Sequence, residues 1–439
     1  MMRSMFSGVS GLRAHQTRMD VIGNNIANVN TVGFKSGRVT FQEIFSQTLQ
    51  GASAPDSATG RGGTNPKQIG LGLGVGAMDT IMTRGSLERT DNPTDMAIEG
   101  EGFFICKGGI TDTFKFTRAG NFGIDKLGNL VTGSGLNVYG WQALKNDGSG
   151  EFDTEVPIEP INLYSDDYRN KRIIAAKATS TAELSGNLDA SYLDPTTAAA
   201  LTPPGVSEKF SMPMTIYDKL GNDYKVSLEF QKASATATGS TWNCTFVPSS
   251  GTGVTPAASV VLTFNADGVL TGTTPSPVAI TVTPAASVGT GPFTMNVDLS
   301  KITSFATDNS VKPKSVDGYT SGSLVTFSIG SDGIITGIYD NGQQQSLGLM
   351  AISGFENPAG LQKVGNNLYI PTTNSGEYKA VKAGSNGVGT LNPGTLEMSN
   401  VDLSKEFTDM IITQRGFQAN SRIITTSDEM LQELVNLKR

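Results

Sequence analysis

The sequence predicts a multidomain protein of α plus all-β class. Coiled-coil-like helices at its N- and C-termini pair with one another, and a β-rich middle domain carries a second, inserted β domain. Three observations predict this. Apolar residues recur every seven positions at both ends. They are Met5, Leu12, Met19 and Ile26, reinforced by Val9, Ile22 and Val29, and then Leu403, Met410, Phe417, Ile424 and Leu431, reinforced by Phe407, Ile411, Leu434 and Leu437. Such a repeat keeps one seam of a helix facing a partner helix. Between the ends helical periodicity almost vanishes, and short apolar runs alternate with Asp-Gly and Asn-Gly turns. The third observation is size with composition: 439 residues, 52 of them glycine and only 17% charged, exceed one ordinary core and predict roughly two to four domains.

Taken in order, the first helix is expected from Ser4, a suitable N-cap, to about Val29. Its last turns hold Asn24, Asn25 and Asn28, with Gly23 before them. Asparagine is a poor helix former. The cluster is either a fraying, solvated end or a set of amides bonding across a helix interface, with Gly23 permitting close approach. Gly33 ends the pattern, and Phe34, Phe41 and Phe45 are expected as aromatic anchors. Residues 46–70, rich in Gly, Ser, Ala and Pro, read as a loop or extended linker. The run GLGLGVGAM at 70–78 fits neither the G-x-G-x-x-G nor the P-loop spacing and reads as a glycine-punctuated strand.

From Val75 to Leu144 the pattern is β, with Phe103-Phe104-Ile105 as a buried strand. Phe114–Thr117 and Phe122–Ile124 read as a hairpin turned at Ala119-Gly120-Asn121, and Asp125–Asn129 is a turn leading into Leu130-Val131. Around 145–210 the chain becomes irregular, with Pro195, Pro203 and Pro204. Met214–Tyr217 and Tyr224–Phe230 form a hairpin about Asp218–Asn222, and Trp242–Val247 and Val260–Phe264 are further strands. Stretches 233–240, 249–259 and 271–291 read as surface loops. Leu324–Ile329 and Ile334–Tyr339 flank the turn Ser331-Asp332-Gly333. The last helix is capped by Asn400 or Asp402 and runs to Leu437. These signals divide the chain into a helical assembly domain (1–30 plus 400–439), a connecting region (31–74 plus 362–399), a β domain (75–150 plus 303–361) and an inserted β domain (151–302).

Several function classes are disfavoured. A net charge of −7 without a basic block argues against nucleic acid as a partner. No run of about 20 apolar residues exists, so membrane insertion is not expected. The start also lacks the apolar core of a cleavable secretory signal. One histidine, His15, cannot build a His-rich metal site. A Ser-His-Asp triad would have to draw on that same helix residue. Cys106 and Cys244 are expected as free, buried thiols. No cofactor, metal or catalytic residue is therefore assigned. The competing class is a secreted β-rich enzyme or glycan-binding module.

Neither terminal helix can bury its stripe on a polar β domain, and an isolated helix depends on tertiary packing of its apolar face. The expected assembly interface is Met5, Val9, Leu12, Met19, Ile22, Asn24, Asn25, Ile26, Asn28, Val29, Leu403, Phe407, Met410, Ile411, Phe417, Ile424, Leu431 and Leu434. A patch that meets a different patch on the next copy makes an open helical polymer, whereas a helical hairpin in a closed dimer or trimer would carry the same heptads.

The stretch Asp20-Val21-Ile22-Gly23-Asn24-Asn25-Ile26-Ala27-Asn28 with Thr31-Val32-Gly33-Phe34-Lys35 resembles the N-terminal signature of the flagellar rod and hook protein family. Ser399-Asn400-Val401-Asp402, Gln414-Arg415, Phe417-Gln418-Ala419-Asn420 and Leu434-Val435-Asn436-Leu437 resemble its C-terminal end. Asp95-Met96-Ala97-Ile98, Gly100–Phe104 and Phe116–Gly120 match between them. The long middle insert is similar to that of the hook members, since rod members are expected to be much shorter; a distal rod subunit is the runner-up. The resemblance implies an inner α-helical layer, outer β domains and self-assembly into a curved tube that transmits motor torque to the filament. It also implies an extracellular location reached through the flagellar type III export apparatus. The implied partners are the distal rod, the hook cap and the hook–filament junction proteins. Segment 46–70 is longer than in compact hook members, and an extra intersubunit contact that sets stiffness or bend is expected of it.

Overall fold

The computed structural model describes residues 2–55, 60–109, 113–146, 149–167, 170–195, 199, 208–248, 253–256, 259–274, 278–284 and 289–437. Pro203 and Pro204 lie outside them, as do parts of the expected loops at 249–259 and 271–291. The chain forms two compact units. One comprises Met1–Tyr168, Phe327–Thr336 and Ser346–Arg439, and the other Arg169–Thr326 with Gly337–Gln345.

The first unit begins with helix α1 (Met2–Ala27). Ser4 lies inside its first turn and does not cap it; the Ser4 hydroxyl sits 3.4 Å from that of Ser427. After Gly33, held at φ +68, strands β1 (Gly37–Glu43), β2 (Ser46–Gln50), β3 (Lys67–Gly70) and β4 (Leu73–Thr80) follow. The GLGLGVGAM stretch is thus largely strand. β1 pairs antiparallel with β4, and β2 with β3. Bonds from Ile44 N to Gly72 O and Leu71 N to Phe45 O bridge the two ladders, and Ser53 pairs with Thr64 beyond them. The expected loop at 46–70 is therefore an extended two-stranded ribbon. Its Ser, Gln and Thr residues satisfy their backbone groups across the ribbon, a pairing that composition does not reveal.

The β body of this unit centres on Phe103–Lys107, which pairs with Phe114–Thr117, Asn137–Trp141 and Gln344–Gly354. Strands from the two ends of the sequence thus share one sheet. Phe103, Ile105, Phe116, Trp141 and Leu349 fill its core. The expected hairpin at 114–124 does not form: Phe114–Thr117 pairs instead with Leu368–Ile370, and Phe122–Ile124 with Leu130–Thr132. Gly120 explains the divergence. A Cβ there would fall 1.6 Å from Met96 O, so the chain passes against the 96–99 strand where a hairpin turn would have reversed it.

The second unit is built on two five-stranded sheets. One is a meander of Lys209–Tyr217, Asp223–Thr236, Gly239–Pro248, Val260–Asn265 and Leu270–Thr274. The other contains Thr181–Asn187 parallel to Phe293–Thr303 and pairs Val278–Thr283 and Lys312–Val316 onto them. Burial alternation over 223–232 and over 293–300 marks one inward face on each strand. Leu228, Phe230, Trp242 and Leu262 from the first share a core with Leu184, Ile280 and Val297 from the second. The expected loop at 233–240 is largely strand, and of the described residues in 271–291 those at 271–274 and 278–283 are strand, because Ser/Thr-rich segments alternate as well as apolar ones do.

Both units use one turn. Asp125-Lys-Leu-Gly-Asn129 and Asp218-Lys-Leu-Gly-Asn222 share sequence and bonding. In each, one Asp oxygen accepts the backbone N–H of the third and fifth residues and the other accepts the Asn amide. The glycine takes φ +90 in both.

Candidate functional site

Helix α2 (Leu403–Asn436) starts where Asp402 Oδ1 accepts Ser404 N at 2.9 Å and Lys405 N at 3.3 Å. Asp402 is therefore the cap. α2 packs antiparallel to α1 within the chain, and the seam between them is made of small and polar residues. Ser4 meets Ser427; a Cβ on Gly8 would lie 3.3 Å from Ile424 Cγ1, and one on Gly11 would lie 2.7 Å from Asn420 Nδ2. In the opposite sense, the His15 ring stands over Gly416, whose added Cβ would lie 2.7 Å from it. Arg18 Nη2 closes the series on Asp409 at 2.9 Å. Positions 4, 8, 11, 15 and 18 form a heptad one step away from Met5, Leu12, Met19 and Ile26, and Ile22 and Val29 continue its Gly8–His15 row. Glycine notches bring the two backbones close enough for these knobs to lock.

The apolar heptads flank that seam. Ile22 is buried, and Ile424 packs over Gly8. Met5, Leu12, Met19, Ile26, Val29, Met410 and Leu431 are half-buried. Val9, Leu403, Phe407 (50% exposed), Ile411 (58% exposed), Phe417 and Leu434 face outward, joined by Ile412, Ile423 and Val435. The pair thus carries a long apolar surface on α2 that its own chain does not cover.

The asparagine cluster divides. Asn24 is exposed and bonds Asn28 one turn on. Asn25 is buried and clamps the start of β1: its Nδ2 donates to Gly37 O and its Oδ1 accepts Gly37 N, both at 2.9 Å. It bonds across to the strand, not across the helix pair. A Cβ added at Gly23 would meet nothing beyond its own helix within 4 Å; the close approaches are at Gly8, Gly11 and Gly416. Phe34 is buried and Phe41 meets the His15 ring edge-on at 5.7 Å, but Phe45 is exposed. Burial, and then Arg18, hold His15 below its ordinary pKa.

Where the helices join the β body lies a buried ionic clasp absent from the sequence expectations. Lys35 Nζ donates to Glu397 Oε1 and Thr83 O, Arg118 Nη1 lies 3.2 Å from Glu397 Oε2, and Gly85 N donates to Glu397 Oε1. The Lys35 and Glu397 side chains are fully buried. Burial lowers the Lys35 and Arg118 pKa values, opposed by the Glu397 charge. Beside it, Ser36 N donates to Asn400 Oδ1 while Asn400 Nδ2 donates to Ile81 O. The signal that finds the seam is the small-residue spacing of Ser4, Gly8 and Gly11; no local pattern announces the clasp.

Among the described residues no group of His, Cys, Asp and Glu is arranged to hold a metal ion, and no helix is long and apolar enough to cross a membrane. Cys106 and Cys244 are free and buried, and burial pushes both thiols up to about 12.

Four family models match along the chain. Residues 5–35 match the flagella basal body rod protein, and residues 97–170 the flagellar hook protein FlgE/F/G D1 domain. Residues 187–319 match the flagellar basal body protein FlaE D2 domain, and residues 392–437 the flagellar basal body rod FlgEFG protein C-terminal region. The flagellar hook proteins FlgE of Borreliella burgdorferi and Treponema pallidum are each 40% identical, covering all of both chains. The flagellar basal-body rod protein FlgG of Bacillus subtilis is 33% identical, also over all of both chains. That last match overturns length as the mark separating rod from hook members.

Proposed function

Because the chain belongs to the flagellar rod and hook protein family, we propose that it is the self-assembling structural subunit of the hook, the curved tube that passes motor torque to the filament. The observation that carries this is the 40% identity to two hook proteins over the whole of each chain, inserted β region included. The uncovered apolar face of α2 supports it physically: that surface finds burial against further copies. The protein is structural, not an enzyme. The full-length match to the Bacillus rod protein at 33% favours a distal rod subunit as the second reading.

In this reading residues 1–30 and 400–439 form the inner assembly layer through the apolar positions named above. Residues 31–74 with 362–399 connect it to a β domain of 75–150 with 303–361, and 151–302 forms the outer domain. The 46–70 ribbon reaches a neighbouring copy. The subunit works outside the cell and leaves through the flagellar type III apparatus, meeting the distal rod, the hook cap and the hook–filament junction proteins. Electron microscopy of the purified chain at high concentration tests the reading. Tubes of uniform diameter are expected, and a well-ordered single particle at millimolar concentration overturns it.

A further inference from the structure

The β body contains a cavity of about 320 Å³ that the helix pair does not use. Half-buried Phe355 lines it, its ring edge to face at 5.7 Å with Phe103, which is itself buried and carries the Arg118 guanidinium over its ring. Glycines keep the walls low: Gly102 stands at φ +127 where a Cβ would lie 2.6 Å from Ile352 Cγ2, and Gly387 at φ +77. The rim carries Glu101, Glu356 and Glu377 against one lysine, Lys379, whose Nζ lies 3.9 Å from Glu356 Oε1. Both members of that pair are well exposed, so it is a weak contact. Three carboxylates against one ammonium leave the rim acidic. The accessible Phe355 ring beside an acidic rim suits a guanidinium, which stacks on a ring while its edge donates to carboxylates.

The ribbon supplies such a group. Segment 46–70 contains three charged residues, Asp56, Arg61 and Lys67. Arg61 is exposed, lies between Gly60 and Gly62-Gly63, and forms no ion pair among the described residues. Its glycine neighbours present no side chains, so it stands as an isolated cationic knob.

We propose that Arg61 of one copy docks in the cavity lined by Phe355 on an adjacent copy, its guanidinium taken by Glu101, Glu356 and Glu377. This rests on the reading that copies polymerise, and it names the site that the ribbon reaches. The test is an Arg61→Cys, Glu377→Cys chain assembled into tubes and mildly oxidised; the buried native thiols serve as the unreactive background. A ladder of disulfide-linked multimers on a non-reducing denaturing gel is expected from tubes and not from dilute subunit. Independently, Arg61→Glu is expected to raise the critical concentration for assembly about tenfold, and Glu101→Lys with Glu377→Lys to reverse that. Monomer alone from oxidised tubes, or an Arg61→Glu chain that assembles like its parent, overturns the docking while leaving polymerisation intact. A parent chain that forms no tubes overturns both.

Discussion

Asn420 fills the notch at Gly11: a Cβ on residue 11 would lie 2.7 Å from the Asn420 amide nitrogen. The two helices are therefore held by complementary shape between small and polar groups. Gly11→Leu is expected to force them apart at a cost of about 1–3 kcal/mol. Gly23→Ala, where an added Cβ would meet nothing beyond its own helix within 4 Å, should stabilise α1 in the monomer by about 0.5–1 kcal/mol. Urea unfolding of dilute subunit followed by helical circular dichroism separates the two. Equal effects would remove the notch argument.

Glu397 neutralises two buried cations at once. Glu397→Gln leaves Lys35 without its counter-charge and Arg118 with only the Glu101 charge nearby, and should cost about 3–5 kcal/mol of stability. Lys35→Met keeps the Arg118 pair and should cost markedly less. Denaturant midpoints of the two variants give the comparison, and a Glu397→Gln chain within 1 kcal/mol of the parent would show the clasp to be dispensable.

Phe407 and Ile411 lie outside the seam. A Phe407→Ser, Ile411→Ser chain is expected to melt within about 0.5 kcal/mol of its parent yet need at least tenfold more protein to form tubes. Sedimentation across a concentration series reads this directly. Unchanged assembly would place the copy-to-copy contact elsewhere.

Acid should weaken the second unit through Asp218. Burial raises its pKa, but donors from Asn222, Tyr224 and Thr290 outweigh that and hold it below the usual carboxylate range. A depressed folded pKa contributes stability above the unfolded value, near 3.9, and loses it as pH falls through the folded value. Stability is expected to be flat from pH 7 to about 5 and to drop below about 4. In Asp218→Asn it should be lower at neutral pH, with a shallower acid limb.

Removing 46–68 leaves β1 and β4 their ladder, so tubes should still form but with altered curvature or softer bending. Trimming 150–300 should give straight but intact tubes. Hooks of normal shape and normal motility after the first deletion would end the idea that the ribbon sets the bend; failure to polymerise after the second would end the division of labour.

Much of this molecule was legible in advance. Both helices, the Asp402 cap, the buried strand at Phe103 and the Asp218–Asn222 turn follow from period and turn chemistry, which are local. The apolar heptads are visible too, but the residues that interlock the two helices within the chain are mainly small and polar ones beside them. Attention to apolar period alone passes over Gly8, Gly11 and Gly416, whose value is the absence of a side chain. Composition reads the 46–70 ribbon as a loop or extended linker and the Ser/Thr-rich strands of the second unit as loops, because their stability comes from a partner strand. The Lys35–Glu397–Arg118 clasp joins residues hundreds of positions apart, so no window along the chain contains it.

The bonds linking Ser36, Ile81 and Asn400 have a mechanical consequence. Both segments that connect the helices to the β body are stitched to the same neighbouring stretch of backbone. A pull along the helix axis divides between two covalent tethers, and the cross-bonds resist it in shear, all together. A load on either helix therefore reaches the β body through both connecting segments.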